Sequence, residues 1–286
     1  MIKITVTAAS GKLGRAVAAE LQSRGFTGNT RLAARNISKL EDFSAAGFDV
    51  VNADYDDPAS LKAAFDGADV ALLISGDGVN EQRARQHRAA IDAAKAAGVK
   101  RIVYTSTTNP VPESRFEWAG AHWETEAYLR ASGLSYTILR DNSYFANNDH
   151  LFEQAKASGV LAFPGASAKV AYVSHEDIAA ASVAVLTQTG HDRKIYEVSG
   201  SDAVSATELG VLLAQITARP IQVVDVPLQA FHDQFKAMGL PDYLVTGLTS
   251  FYATLGAGEY AQPSADFERL TGRKSTPARD YLKKFA

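Results

Sequence analysis

The chain opens with a short run, Ile2 to Thr7, that breaks into Ala8-Ala9-Ser10-Gly11-Lys12-Leu13-Gly14 and continues as an amphipathic stretch to Leu21. Strand, glycine turn and helix in that order constrain the fold more than any other feature of the sequence. The order predicts the start of a parallel α/β sheet whose first turn receives a dinucleotide. Gly11 can bring the backbone close to a pyrophosphate, and Gly14 lets the helix pack tightly on its strand. The helix N-terminus then points N–H groups and a partial positive charge at the phosphates. Ala8, Ser10, Gly11, Lys12, Leu13 and Gly14 are therefore the candidate cofactor loop. The competing reading is a structural β–α turn, since many turns carry two glycines.

The second strand selects the dinucleotide. Asn29 to Ala34 reads as that strand, and it ends in Ala34-Arg35-Asn36 with Lys39 a turn later. An acidic residue there would bond a ribose 2′-hydroxyl, whereas an arginine accommodates a 2′-phosphate. Arg35 holds the position, and no Asp or Glu occurs between Glu20 and Glu41. NADPH is the expected cofactor, with NADH use left open.

The same alternation continues. Strand-like runs follow at Asp49–Ala53, Val70–Ser75, Arg101–Thr105 and Ser135–Leu139, with helical patterns at Leu13–Ser23, Ile37–Ala45, Ala59–Phe65, Gln82–Ala97 and Ala121–Ala131. Such alternation demands a doubly wound parallel sheet of Rossmann type, with right-handed crossovers and ligands at the carboxyl ends of the strands. Beyond about residue 145 the rhythm loosens. Val170–Val173, Ile195–Val198 and Ile221–Val224 look like strands, and His175–Leu186, Ala206–Ile216 and Leu228–Met238 like helices. The expected division is an NADP-binding domain over 1–145 and a smaller mixed α/β substrate lobe over 146–286, with strands around 170–198 returning to the main sheet.

Composition narrows the chemistry. There are no cysteines, so disulfides, thiolate metal sites and cysteine nucleophiles are excluded. The six histidines show no metal-ligand spacing, and no metal is expected. A net charge of −3 gives no footprint for nucleic acid, and no apolar run is long enough to span a bilayer. No basic-then-apolar leader opens the sequence, so the cytoplasm is the expected compartment.

With these elements placed, the chain resembles the NmrA-like group of atypical short-chain dehydrogenases, nearest its quinone- and dye-reducing members. The residues that carry this are the glycine turn, Ala34-Arg35-Asn36, Ala53-Asp54-Tyr55, Leu72-Leu73-Ile74-Ser75, Gln86-His87-Arg88, Tyr104-Thr105-Ser106, His122-Trp123-Glu124-Thr125-Glu126 and Tyr136-Thr137-Ile138-Leu139-Arg140. Individually they are weak, but in this order and spacing they are specific. The resemblance implies Asp54 and Tyr55 beside the adenine, Ile74 and Ser75 beside the pyrophosphate and nicotinamide ribose, and Ser106 at the cofactor site. One departure stands out: the group usually has glycine at the position of Ala8. A methyl there opposes positive φ and predicts a cofactor loop with weaker affinity.

Ordinary short-chain dehydrogenases protonate a carbonyl oxygen with a Tyr-x-x-x-Lys pair, and no such pair occurs in this chain. At the corresponding helix stand His122 and Glu126, one turn apart on one face. Ketone reduction leaves an alkoxide that needs a positioned acid. Quinone reduction leaves a delocalised phenolate that can take its proton from water. The chain therefore reads as a reductase that sets a nicotinamide against an electron-poor π-system, with catalysis by proximity and orientation. His122 is the candidate donor to an acceptor oxygen, with a structural histidine as the alternative. Asn142 and Tyr144, with Ser143, Ser106 and Thr107, are candidate positioning residues, and Tyr144 with Phe145 a candidate wall for a flat aromatic or quinone-like substrate. The other readings are a dinucleotide-binding redox sensor without catalysis and a dedicated enone or imine reductase. The chain is expected to be a monomer or homodimer.

Overall fold

A computed structural model describes residues 2–286. They divide into two compact units, one of residues up to 107 with 121–140 and 175–196, the other of 108–120, 141–174 and 197–286.

The first unit is built on the central sheet. Its strands are β1 (Ile4–Val6), β2 (Thr30–Ala34), β3 (Asp49–Asn52), β4 (Val70–Leu73), β5 (Arg101–Thr107), β6 (Ser135–Asp141) and, far along the chain, β9 (Lys194–Val198). They lie in the order β3-β2-β1-β4-β5-β6-β9. The first five pair in parallel, with Ile4 opposite both Thr30 and Val70. The reversal beside β1 is the switch point at which such sheets take ligands. Every residue of β4 and β5 is buried, as expected for strands covered on both faces.

Helices α1 (Lys12–Ser23), α2 (Glu41–Ala45), α3 (Pro58–Phe65), α4 (Asn80–Ala96), α5 (Ala119–Ala131) and α7 (His175–Thr187) cross between these strands. Helix α1 packs on α7. Helix α7 is buried from Asp177 to Leu186 and rich in small residues, and α1 buries the apolar stripe Leu13, Val17, Ala18 and Leu21. The stretch read as one helix, 37–45, is a 3-10 turn over Ile37–Leu40 followed by α2. Asn36 sets this start, its side chain accepting the Ser38 amide, a local bond that favours a tight turn.

The second unit has an aromatic core. Phe145 stacks on Tyr172 at 5.1 Å and on Tyr281 at 4.7 Å. Tyr252 of α10 (Asp242–Gly256) packs edge-on against Phe231 of α9 (Leu228–Ala237). Two small sheets complete it, with β7 (Val160–Phe163) parallel to β11 (Gln222–Asp225) and β8 (Lys169–Val170) antiparallel to β10 (Val204–Ser205).

Two sequence expectations change here. Of the strands around 170–198, only β9 joins the main sheet, because Val170 pairs with Val204. Residues 108–120, placed in the first domain by sequence, belong to the second unit. Glu259 holds them there, accepting from Asn109, Ser114 and Arg115.

Candidate functional site

The carboxyl ends of β1, β2 and β4 gather the predicted cofactor residues of the first unit. After β1 the backbone turns sharply, with the Gly11 amide donating to the Ala8 carbonyl at 3.0 Å. The Ala9 amide donates to Ala33 of β2, which ties the turn to its neighbour. Ala8 adopts φ +48° in spite of its methyl, so the turn keeps a conformation suited to glycine. Gly11 is exposed at φ −76°, in extended backbone that any residue can take. Gly14 is constrained by space: a Cβ there would lie 2.6 Å from both the Ala8 carbonyl oxygen and the Ala9 Cα. No side chain caps α1, and its first turn carries no acid. An exposed glycine ahead of a helix N-terminus is a donor set that fits a pyrophosphate.

Arg35 is exposed immediately after β2. Asn52 Nδ2 donates to its carbonyl at 2.7 Å and fixes the backbone there. The nearby Arg15 is already committed to Asp42, which leaves Arg35 as the guanidinium at the strand end. Asp54 is half-buried and accepts the Asp56 amide. The Tyr55 hydroxyl can donate to Thr7 Oγ1 at 2.6 Å or to the Ile74 carbonyl at 2.7 Å. Burial pushes this phenol up, so it stays protonated. Thr7 Oγ1 also accepts the Ile74 amide, and Thr105 Oγ1 accepts the Ser75 amide. The segment after β4 is thus stitched to β1 and β5.

Behind Ser75 lies a buried polar cluster. Arg83 Nη2 donates to Ser75 Oγ at 2.7 Å and to His122 Nε2 at 2.8 Å, while His122 Nδ1 faces the Tyr104 hydroxyl at 2.9 Å. A guanidinium only donates, so Nε2 must carry a lone pair and Nδ1 the proton. The Gly76 amide sets His87 the same way: it donates to Nε2, and Nδ1–H donates to Thr125 Oγ1. The Thr125 hydroxyl in turn donates a hydrogen bond to the Ala121 carbonyl. Burial, with the Arg83 charge, holds His122 well below its ordinary value and His87 at about 3. Both imidazoles are neutral.

This arrangement matches the structural alternative for His122. Its two nitrogens are engaged within the protein, so it holds Arg83 and Tyr104 in place and presents no open donor. Glu126, one turn later, accepts from Ser106 Oγ at 2.7 Å and pairs with Arg130 and Arg140. Ser106 therefore anchors α5 to β5. Arg83, Tyr104 and His87 were missed by sequence reasoning. A signal was present: Arg83, Gln86 and His87 fall on the same stripe of α4 as Ala90, Ile91 and Ala94, where only apolar residues would be expected.

In the second unit, the residues just after β6 form a separate group. Asn142 is buried, its Nδ2 donating to the Tyr260 carbonyl and its Oδ1 accepting the Ser143 amide. The Tyr144 hydroxyl donates to Asp141 Oδ2 at 2.7 Å. Phe145, expected beside Tyr144 in a substrate wall, is instead core, because its ring is sandwiched by Tyr172 and Tyr281. Among the described residues no group of three or more histidines and acids is placed to hold a metal, and no helix is long and apolar enough to cross a membrane.

Residues 8–189 match the model of a family described as NAD(P)H-binding. The chain belongs to that family. It is 34% identical over 273 residues to quinone oxidoreductase 2 of Escherichia coli K12, covering 96% of this chain and 95% of that one. The solved structure of the Escherichia coli NADPH-dependent quinone oxidoreductase QOR2 with NADPH matches at a TM-score of 0.92 and 33% identity, over 99% of both chains. Triphenylmethane reductase of Citrobacter sp. with NADP(H) also matches at 0.92, with 28% identity over 100% of both. The chain is an NAD(P)H-dependent oxidoreductase.

Proposed function

We propose that this oxidoreductase reduces quinones or similar conjugated, electron-poor acceptors with NADPH, and that it does so without a Tyr-x-x-x-Lys acid. The observation that carries the reading is the state of α5. There the short-chain pattern would put a tyrosine and a lysine, and this chain has His122 locked between Arg83 and Tyr104. A neutral imidazole with both nitrogens engaged cannot protonate an alkoxide. It need not do so for an acceptor whose reduced oxygen is a stabilised phenolate. The named quinone reductase with NADPH supports the same class.

Bound NADPH supplies a hydride from its reduced nicotinamide. In this reading the backbone from Ala8 and Ser10 to Gly14 holds the pyrophosphate, with Lys12 and Leu13 opening the helix behind it. Arg35 takes the 2′-phosphate as a charge-assisted partner. Asp54 and Tyr55 border the adenine, and Ile74 and Ser75 the nicotinamide ribose. Arg83 fixes the Ser75 hydroxyl, so that group is set before any ligand arrives. Orientation then contributes most of the rate. Asn142 orders the chain that carries Tyr144.

The test is NADPH oxidation with a panel of quinones, enones and simple ketones at matched concentrations. Turnover of the quinones with none of the ketones is the expected result. Ketone turnover at a comparable rate would overturn the acceptor class. Tight NADPH binding with no turnover of any acceptor would favour a redox sensor.

A further inference from the structure

The segment after β4 has its backbone donors already engaged. Three successive amides go to side chains of the first unit: Ile74 N–H to Thr7 Oγ1 at 3.1 Å, Ser75 N–H to Thr105 Oγ1 at 3.1 Å and Gly76 N–H to His87 Nε2 at 3.2 Å. The Ile74 carbonyl lies 2.7 Å from the Tyr55 hydroxyl. A ligand at the carboxyl end of β4 therefore finds no open amide from Ile74 to Gly76. What this stretch has left to offer it is the hydroxyl of half-buried Ser75.

The groups behind that hydroxyl are donors or filled acceptors. Arg83 reaches it from the first turn of α4, with Nη2 at 2.7 Å from Ser75 Oγ and 2.8 Å from His122 Nε2. A guanidinium has no lone pair to offer, so Arg83 fills a lone pair of Ser75 Oγ and cannot take its hydrogen. His87 Nε2 is 3.4 Å away, and its single lone pair already receives the Gly76 amide. Tyr104 Oη, beside Ser75, already receives the His122 Nδ1–H at 2.9 Å. Placing a cation here is costly. Arg83 is 5% exposed, and burial pulls its guanidinium below the ordinary arginine range, with Tyr104 and the exposed Asp77 opposing. The same stripe of α4 continues as Ala90, Ile91 and Ala94, where an apolar side chain would pack without that cost. A desolvated cation aimed at a half-buried serine is a mark of an oriented functional group.

We propose that Arg83 is a positioning residue for the cofactor and acts through Ser75: with one lone pair filled by the guanidinium, the Ser75 hydroxyl is a donor to an oxygen of the nicotinamide ribose of NADPH. Ser75 is the group that touches the cofactor, and His122 holds Arg83 from behind. The hydroxyl keeps its proton throughout, so the device supplies no acid. All of these residues belong to the first unit, with the glycine turn and Arg35. The inference rests on the proposed place of Ser75 beside that ribose.

The experiment is a double-mutant cycle on NADPH affinity, read from cofactor fluorescence with no acceptor present, in the wild type, Ser75→Ala, Arg83→Met and the double variant. Adenosine 2′,5′-bisphosphate, which has the adenosine end of NADPH and no nicotinamide ribose, is titrated alongside by calorimetry. Ser75→Ala should raise the NADPH Kd about fivefold, as loss of one neutral hydrogen bond does. Arg83→Met should raise it by a similar factor, and the double variant should bind as Ser75→Ala does, because Arg83 then has no hydroxyl to orient. The bisphosphate should bind all four proteins alike. If Arg83→Met weakens NADPH by the same factor with and without Ser75, the proposal fails while Ser75 keeps its place at the ribose. If Ser75→Ala binds NADPH as the wild type does, that place is lost and the proposal with it. Bisphosphate affinity that falls in step with NADPH affinity also overturns it, since the loss is then of the fold around β4 and not of one bond. Should Arg83→Met fail to fold, Ser75→Ala against the two ligands still decides.

Discussion

Two side chains in the cofactor region carry separable effects. Arg35 is exposed at the end of β2, free to meet a phosphate, and Arg35→Ala should weaken NADPH binding by roughly 1.5–3 kcal/mol, the worth of a hydrogen bond to a charged group. NADH affinity should barely move. Calorimetric titration with both cofactors checks this, and equal losses would remove Arg35 from that role. Ala8 sits at φ +48°, where an L-residue pays about 1–2 kcal/mol. Replacing it with glycine relieves that strain but returns about 0.4–1 kcal/mol of unfolded-chain entropy. Ala8→Gly should thus raise stability slightly and bind NADPH as well or better. A clear loss of affinity would show a loop adapted to the methyl. Both residues were legible in the sequence because each follows a recognisable strand. Asp141 was not, since nothing in the order of residues says that one carboxyl oxygen will be buried without a partner.

Helix α5 is pinned to the sheet by Glu126, fully buried against Ser106, Arg130 and Arg140. Removing one member of a buried ion pair strands the others, at a cost of about 3–5 kcal/mol. Glu126→Leu should lower the urea midpoint accordingly, whereas exposed pairs such as Arg88 with Glu124 should contribute under about 1 kcal/mol. A neutral Glu126→Leu would mean that the helix is held by packing alone. That His122 and Glu126 share a face was readable from their spacing. What each meets across that face was not, because Arg83 and Ser106 arrive from α4 and β5, far away in sequence.

For the molecule as a whole, the buried histidines tie stability to pH. His87 and His122 have folded values below the ordinary 6.5, with His87 near 3. The unfolded chain takes up protons that the folded one refuses, so stability is lost as pH falls below about 6.5, at up to roughly 1.4 kcal/mol per unit for each histidine. Asp141 works in the opposite sense. Its folded value of about 8 exceeds the ordinary 3.8, so its contribution is present at low pH and lost as pH rises toward 8. In Asp141→Asn, where the opposing contribution is removed, urea midpoints should therefore fall between about pH 7 and 5, and the slope should be shallower when His87→Asn is added. A midpoint constant over that range would contradict buried neutral imidazoles.

By itself the sequence determined the parallel sheet, the glycine turn and the arginine at the end of the second strand on which the expectation of NADPH rests. Those follow from local order: a strand, a tight turn and a helix N-terminus are neighbours in the chain, and their periodicity is written in residues a few positions apart. It also showed that a Tyr-x-x-x-Lys acid is missing. The tertiary structure alone decided what stands in its place. His122 is neutral because Arg83 donates to it, Phe145 is core because two tyrosines from distant segments close on it, and Asp141 is loaded with a proton because burial removes the water that would share its charge. Burial and partner identity are sums over the whole fold, and no stretch of sequence contains them.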